Sequence, residues 1–119
     1  MNTKFGYVRV AAAVPHMRVA DCQYNASEIK KQIAEAVQEG VEVVCFPELS
    51  ITGYTCADLF FTQQLQRDAL SALQEVCAFT RDLPIIVLVG APLKVDNNLY
   101  NCAFVITDGD VVGVVPKIN

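Results

Sequence analysis

The sequence has little that would favour binding to nucleic acid, nucleotides or metal. It contains 9 lysine and arginine residues against 13 acidic ones and a single histidine, His16, which gives a formal net charge of −4. Because proteins that bind a phosphate backbone cluster positive charge, we expect no nucleic-acid partner. Gly-x-Gly-x-x-Gly and Gly-x-x-x-x-Gly-Lys-Ser/Thr patterns are absent as well, so we assign no cofactor to this segment.

Long apolar runs and closely paired cysteines are also missing. No run reaches the length of a membrane span, and residues 1–6 lack the features of a signal peptide, so we expect a cytoplasmic protein without a membrane partner. The five cysteines are odd in number and form no Cys-x-x-Cys pair, which argues against a disulfide framework and a metal site. We expect buried structural thiols at Cys22, Cys45, Cys56, Cys77 and Cys102.

The composition is that of a globular protein. Of the 119 residues, 53% are hydrophobic and 18% are charged, so the chain can bury a core. We find no repeat, low-complexity stretch or linker, and we therefore expect residues 1–119 to lie within one domain, with no boundary inside the chain.

The hydrophobic pattern alternates between strands and helices, which predicts an α/β fold with parallel strands. Asn25 and Glu28 have the spacing of a capping box, and Ile29, Ile33 and Val37 follow at helical intervals. Leu65, Ala69, Leu73, Val76 and Thr80 predict a second helical face. The predicted strands cover residues 7–14, 41–46 and 85–89, the last ended by Gly90 and Pro92, and the predicted helices cover 25–40 and 62–81.

The last part of the chain predicts an antiparallel hairpin. Asp108-Gly109 lies between two apolar runs, 99–107 and 111–115, and Asp-Gly is a strong signal for a two-residue hairpin turn. Two helices are few for five strands, several of which are apolar on both faces. We therefore expect further chain or a partner subunit to cover the remaining sheet surface.

A carboxylate follows directly after the second predicted strand. Ligands of α/β proteins bind at the carboxyl ends of parallel strands, and Glu48 lies at such an end. From its position alone, however, Glu48 would ordinarily be interpreted as a solvated carboxylate in a connecting loop. The sequence at 46–54, Phe-Pro-Glu-Leu-Ser-Ile-Thr-Gly-Tyr, resembles the signature of the nitrilase (carbon–nitrogen hydrolase) superfamily. Gly-Val-Val-Pro-Lys at 113–117 is similar to the segment that carries the lysine of that family.

Three further segments, 18–25, 53–60 and 99–103, look like the glutaminase domains of glutamine-dependent NAD synthetases. The resemblance covers essentially the whole chain. It implies a nitrilase-like α-β-β-α sandwich of which only the first part is present.

The resemblance also implies roles for individual residues. Glu48 would be the general base, Lys117 would stabilise the oxyanion, and Tyr54 would contact the substrate. Asp58 is expected to cap the second helix or to shape the pocket entrance. The family's cysteine nucleophile follows downstream of the lysine, so we expect it beyond this chain and expect these 119 residues alone to be inactive.

The function implied is hydrolysis of the glutamine amide, which supplies ammonia for the ATP-dependent conversion of nicotinic acid adenine dinucleotide to NAD. The expected partners are glutamine, the rest of the parent synthetase with its ATP and Mg²⁺, and a second copy in a homo-oligomer. Two alternatives stay open: a stand-alone amidase of the nitrilase family, and a non-catalytic remnant that binds a partner through its bare sheet face.

Overall fold

The structure, a computed structural model, describes residues 6–53, 63–96 and 98–117. Within these residues the chain forms five strands and two helices, joined in one mixed sheet with the strand order β1-β2-β3-β4-β5. The elements are β1 (Val10–Ala12), α1 (Cys22–Gln38), β2 (Val43–Cys45), α2 (Gln63–Phe79), β3 (Ile86–Val95), β4 (Asn98–Thr107) and β5 (Asp110–Pro116).

The first three strands are parallel, as the strand–helix alternation predicts. Val10 pairs with Val43, and Val43 pairs with Ile86. The paired parts of β1 and β2 are shorter than the apolar runs, because a strand ends where its hydrogen-bonded ladder ends, whatever the hydrophobicity of the flanking residues. The carboxyl ends of β1, β2 and β3 consequently lie at one edge of the sheet.

The start of α1 differs from the predicted capping box. Asp21 is the N-cap, and its side chain accepts a hydrogen bond from the Tyr24 amide at 3.1 Å. Asn25 lies inside the first turn, fully buried, where its amide group donates to the Arg18 and Ile51 carbonyls. The prediction for Asn25 was wrong because its side chain joins the helix to a neighbouring loop instead of capping its own helix.

The predicted apolar face of α2 is confirmed. Its residues Leu65, Ala69, Leu73 and Val76 are buried, and Thr80 just beyond the helix is fully buried. Both helices pack on the same side of the sheet. The buried core combines them with strand residues whose side chains point to that side, among them Val44, Val87, Val89, Phe104 and Ile106.

Strand β3 runs further than predicted, through both Gly90 and Pro92. Gly90 bonds through its N–H to Ser50 Oγ and through its carbonyl to the Ile51 N–H, so these groups point away from β4. Pro92, two residues on, has the same orientation in the strand. Its missing N–H is therefore not needed for the ladder with β4, in which it is paired with Asn101.

The predicted hairpin at Asp108-Gly109 is confirmed. Thr107 pairs with Asp110, and the two turn residues have φ angles of 48° and 78°, as a type I′ turn requires. Strands β3 and β4 are also antiparallel along their full length, from Val87–Ile106 to Val95–Asn98, a pairing that the sequence analysis did not predict.

The sheet face opposite the helices is largely uncovered within the described residues. Val10 is 67% exposed and Val115 is 58% exposed, and Cys45 on the same face is exposed too. The described helices thus leave apolar sheet surface open, in agreement with the sequence analysis. What covers this face stays a prediction.

None of the helices in the described ranges is long and apolar enough to cross a membrane.

Candidate functional site

Glu48 lies in a tight turn at the carboxyl end of β2. The turn is anchored on both sides: Phe46 is buried and donates from its N–H to the Leu88 carbonyl, and the Leu49 carbonyl accepts from the N–H groups of Thr52 and Gly53. Leu49 itself has φ of 54°, a conformation that is uncommon for a residue with a side chain. Packing and hydrogen bonds therefore hold the backbone next to Glu48 in an unusual conformation.

Gly90 allows this turn to approach the sheet closely. A Cβ atom at position 90 would overlap the backbone nitrogen of Leu49 and would lie 3.1 Å from the backbone carbon of Glu48. The Gly90 N–H also donates to Ser50 Oγ at 3.2 Å, and its carbonyl accepts from the Ile51 N–H at 3.0 Å. The Glu48 turn thus packs directly on β3 at a position where only glycine fits.

Lys117 approaches Glu48 from the end of β5. Its backbone N–H donates to the Asn101 carbonyl at 2.8 Å, which continues the β4–β5 ladder beyond Pro116. Its Nζ lies 2.8 Å from Glu48 Oε1. The structure thus brings together two residues that are 69 positions apart (117 − 48) and that the sequence analysis selected as a pair.

Asn101 is a third member of this cluster and is not among the predicted site residues. Its Nδ2 donates to Glu48 Oε1 at 2.5 Å. Its segment, 99–103, contributes to the family resemblance, which was the only available signal. The contact itself joins residues 53 positions apart and depends on the β3–β4 pairing, so local sequence patterns do not reveal it.

These side chains line a groove of about 320 Å³ on the uncovered side of the sheet. Its walls come from the end of β2, the middle of β3 and β4, and the end of β5. The groove is mainly apolar, with Glu48, Asn101 and Lys117 as its ionised or amide groups. The other lining residues are Cys45, Phe46, Leu88, Val89, Gly90, Cys102, Ala103, Val115 and Pro116.

The Glu48–Lys117 ion pair is partly open to solvent. The side chains are 30% and 53% exposed, respectively. An ion pair that is exposed to this degree adds little to stability, because water screens it. In an apolar groove, however, a carboxylate beside an ammonium provides a proton acceptor and a fixed positive charge within one small space.

The cysteines only partly fit the expectation of buried structural thiols. Cys22 and Cys102 are buried, Cys77 is half-buried, and Cys45 is exposed in the groove, so the prediction for Cys45 was wrong. Cys45 follows the alternation of β2, which places it on the uncovered face. Burial raises the pKa of the Cys102 thiol, which makes it a poor nucleophile near neutral pH.

Several predicted residues lie outside the described part of the chain. They are Tyr54, Cys56 and Asp58, so the structure does not place the predicted substrate contact. His16 is exposed in a loop. The described residues contain no group of three or more histidine, cysteine or acidic side chains that could hold a metal ion.

A second groove, of about 380 Å³, lies between α2 and the β3–β4 pair. The described residues that line it include amides and cations, such as Gln66, Arg67 and Lys94, but no carboxylate. It therefore lacks a residue that could act as a base near neutral pH. Although smaller, the groove at Glu48 is the better candidate for chemistry.

Comparison with known proteins matches residues 9–119 to the family described as carbon-nitrogen hydrolase. The chain is 33% identical over 112 residues to a glutamine-dependent NAD(+) synthetase of Mycobacterium leprae. That alignment covers 94% of this chain and 16% of the mycobacterial protein, so the chain spans less than a fifth of that relative's length.

Solved structures show the same fold. The crystal structure of a glutamine-dependent NAD(+) synthetase from Cytophaga hutchinsonii aligns with a TM-score of 0.87 and 33% identity, covering 94% of this chain and 19% of that one. An amidase from Nesterenkonia aligns with a TM-score of 0.78 and 22% identity, covering 94% and 43%. The expectation of a partial nitrilase-type α/β domain is thereby confirmed.

Proposed function

Because this chain belongs to the carbon–nitrogen hydrolase family, we propose that it contributes the Glu48–Lys117 half of a glutamine-hydrolysing site. The observation that supports this most strongly is the 2.8 Å contact between Lys117 Nζ and Glu48 Oε1 in an apolar groove. Relatives that are 33% and 36% identical to this chain over 112 aligned residues carry the name glutamine-dependent NAD(+) synthetase.

In the proposed mechanism Glu48 is the general base. A neutral thiol is a weak nucleophile at pH 7, so a cysteine needs a proton acceptor within hydrogen-bond reach to attack an amide. The Glu48 carboxylate takes the thiol proton, passes it to the departing ammonia, and then activates the water that hydrolyses the thioester. The tight turn at Glu48 and its packing on Gly90 fix the carboxylate for these transfers.

Lys117 stabilises the negative charge that develops on the amide oxygen during attack. An ammonium aimed at that oxygen stabilises the transition state, by several kcal/mol where the bound substrate excludes water from the groove. Lys117 is well placed for this role because its backbone is fixed to β4 while its side chain reaches Glu48. In this proposal Tyr54 contacts glutamine, although it lies outside the described residues.

The nucleophile in this proposal is a cysteine beyond residue 119. Of the described thiols that line the groove, Cys102 is buried and Cys45 donates a weak hydrogen bond to the Phe46 carbonyl at 3.7 Å. Cys45 is nevertheless exposed beside the site and is the alternative nucleophile that an experiment must exclude.

We further propose that the ammonia is consumed by an ATP- and Mg²⁺-dependent step in the rest of a parent synthetase, where it amidates nicotinic acid adenine dinucleotide. None of the described residues is assigned to ATP or Mg²⁺. Assembly as a homo-oligomer is part of the same proposal.

The test is ammonia release from glutamine by the protein expressed from its complete reading frame. Replacement Glu48→Gln keeps the shape but removes the base, and we expect kcat/KM to fall by about 10²–10⁴-fold. Glu35→Gln, at an exposed position on α1, is the matched control and should leave the rate unchanged.

A substitution of Cys45 and a comparison of amide substrates distinguish the alternative nucleophile and the alternative functions. Cys45→Ser should retain activity, and its complete loss would make Cys45 the nucleophile. Hydrolysis of acetamide or another simple amide in preference to glutamine would instead favour a stand-alone amidase. No hydrolysis of either amide by the wild-type protein would contradict the proposed function and favour the non-catalytic remnant.

A further inference from the structure

Asn101 is the one residue of the described cluster that bonds to both proposed catalytic residues. Its side-chain Nδ2 donates to Glu48 Oε1 at 2.5 Å, and its backbone carbonyl accepts from the Lys117 N–H at 2.8 Å. Glu48 lies on a loop and Lys117 lies beyond the end of β5, whereas Asn101 lies within β4, between two paired strands. Asn101 therefore connects the Glu48 turn to the end of β5 from a position inside the sheet.

We propose that Asn101 is a positioning residue that holds Glu48 ionised and oriented toward Lys117. This inference rests on the proposed function, because positioning has a measurable effect only if Glu48 transfers protons. Asn101 does not touch the reacting atoms in this proposal and acts through Glu48.

The chemistry follows from the type of donor. A hydrogen bond donated to a carboxylate favours its charged form, which is the form that accepts the thiol proton. Asn101 Nδ2 and Lys117 Nζ both approach the same oxygen, Glu48 Oε1, at 2.5 and 2.8 Å. Two donors that converge on one oxygen restrain the position of that oxygen and favour the charged form of the carboxylate.

The position also suits a substitution test. Asn101 is half-buried, and its side chain is on the uncovered sheet face, so a replacement of similar size need not disturb the helix-covered core. The bond from the Lys117 N–H is made to the backbone of Asn101 and survives a change of side chain. Substitution therefore separates the contact with Glu48 from the β4–β5 ladder.

The experiment measures the pH dependence of kcat/KM for glutamine with the complete protein. Asn101→Asp replaces the donor by a carboxylate of the same shape next to Glu48, and repulsion between the two carboxylates disfavours ionisation. We expect the acidic limb of the profile to move to higher pH by about one unit and kcat at pH 7 to fall about 10–100-fold, with a smaller change in KM.

Two further variants at this position and one control complete the design. Asn101→Ala should lose activity without the added repulsion, and Asn101→Ser, which retains a short donor, should retain more activity than Asn101→Ala. Asn98→Asp introduces the same change at an exposed position on the same strand and should leave both rate and profile unchanged.

The outcomes separate the two proposals. Suppose that wild-type protein hydrolyses glutamine and Glu48→Gln does not. If Asn101→Asp then has the same pH profile of kcat/KM as Asn98→Asp, the positioning role is wrong and the proposed function stands. The positioning role is also wrong if Asn101→Asp and Asn101→Ala lose activity only in proportion to lost folded protein, measured by circular dichroism. Wild-type protein without amide hydrolysis would overturn both proposals.

Discussion

The two ends of the β4–β5 hairpin are held in different ways. At the turn, hydrogen bonds join side chains to backbone groups: the Gly109 N–H donates to Thr80 Oγ1 at 2.9 Å, and Asp108 Oδ1 accepts from the Asp82 N–H at 2.9 Å. The Cys77 thiol also donates to the Gly109 carbonyl, at 3.1 Å. At the other end, the side chains of Asn101 and Lys117 both bond to the side chain of Glu48.

This difference separates structure from proposed chemistry within one element. Most side-chain hydrogen bonds in proteins go to the backbone, and such bonds fix one element to another. The turn end therefore docks the hairpin on the end of α2. Three side chains that meet in a partly exposed groove contribute less to stability, because their charges stay hydrated, but they can act on a ligand. The comparison predicts that substitutions at the two ends of the hairpin differ in their effects on stability and activity.

The largest structural effect is expected from Gly90→Ala, which acts on the Glu48 end of the hairpin. The new Cβ would overlap the Leu49 backbone and must displace the turn that carries Glu48. We expect a loss of about 1–3 kcal/mol in the free energy of unfolding, as for other overpacked sites. We also expect kcat/KM for glutamine to fall about 10–100-fold, because proton transfer depends on position. Chemical denaturation and ammonia release measure the two effects.

Gly113→Ala on β5 is the matched control for that prediction. Its added Cβ would meet Val105 at 3.7 Å, an ordinary van der Waals distance, so stability and activity should change little. Equal effects of the two substitutions would show that the turn at Glu48 is not specifically held by Gly90.

A smaller effect, and only on structure, is expected from Thr80→Ala at the turn end. The substitution removes the acceptor of the Gly109 N–H and leaves Glu48, Asn101 and Lys117 in place. We expect a loss of about 1 kcal/mol in local stability, seen as an increase of roughly fivefold in the hydrogen-exchange rate of the Gly109 amide. Activity with glutamine should stay within a factor of about two.

Ser71→Ala, at an exposed position of α2, is the control for Thr80→Ala and should not alter the exchange of Gly109. If Thr80→Ala lowered kcat/KM as strongly as Gly90→Ala, the two ends of the hairpin would not be independent and the separation described above would be wrong.

Local sequence patterns predicted the parts of the fold that local physics determines. The face of α2 from Leu65 to Val76 follows from helical spacing, and the turn at Asp108-Gly109 follows from two residues that tolerate positive φ. The contact between Glu48 and Lys117 was predicted only through the family resemblance.

Features that depend on distant neighbours were missed. Strand β3 continues through Pro92 because the missing N–H at that position would point away from β4, as the Gly90 N–H does, and this orientation depends on the sheet and not on the local sequence. Asp21 caps α1 by accepting from the Tyr24 N–H, whereas the Asn25 side chain bonds to the distant Ile51 carbonyl. Asn101 contacts Glu48 across 53 residues, which no periodicity indicates.

The central claim is that Glu48 and Lys117 act as one unit, and a double-mutant cycle tests it directly. The measurement is kcat/KM for glutamine with wild-type protein, Glu48→Gln, Lys117→Met and the double variant, all expressed from the complete reading frame. Residues of one catalytic unit are not additive, so we predict that the double variant loses little more activity than the worse single variant. The account would be contradicted if the losses multiplied, so that kcat/KM of the double variant fell by the product of the two single-variant effects.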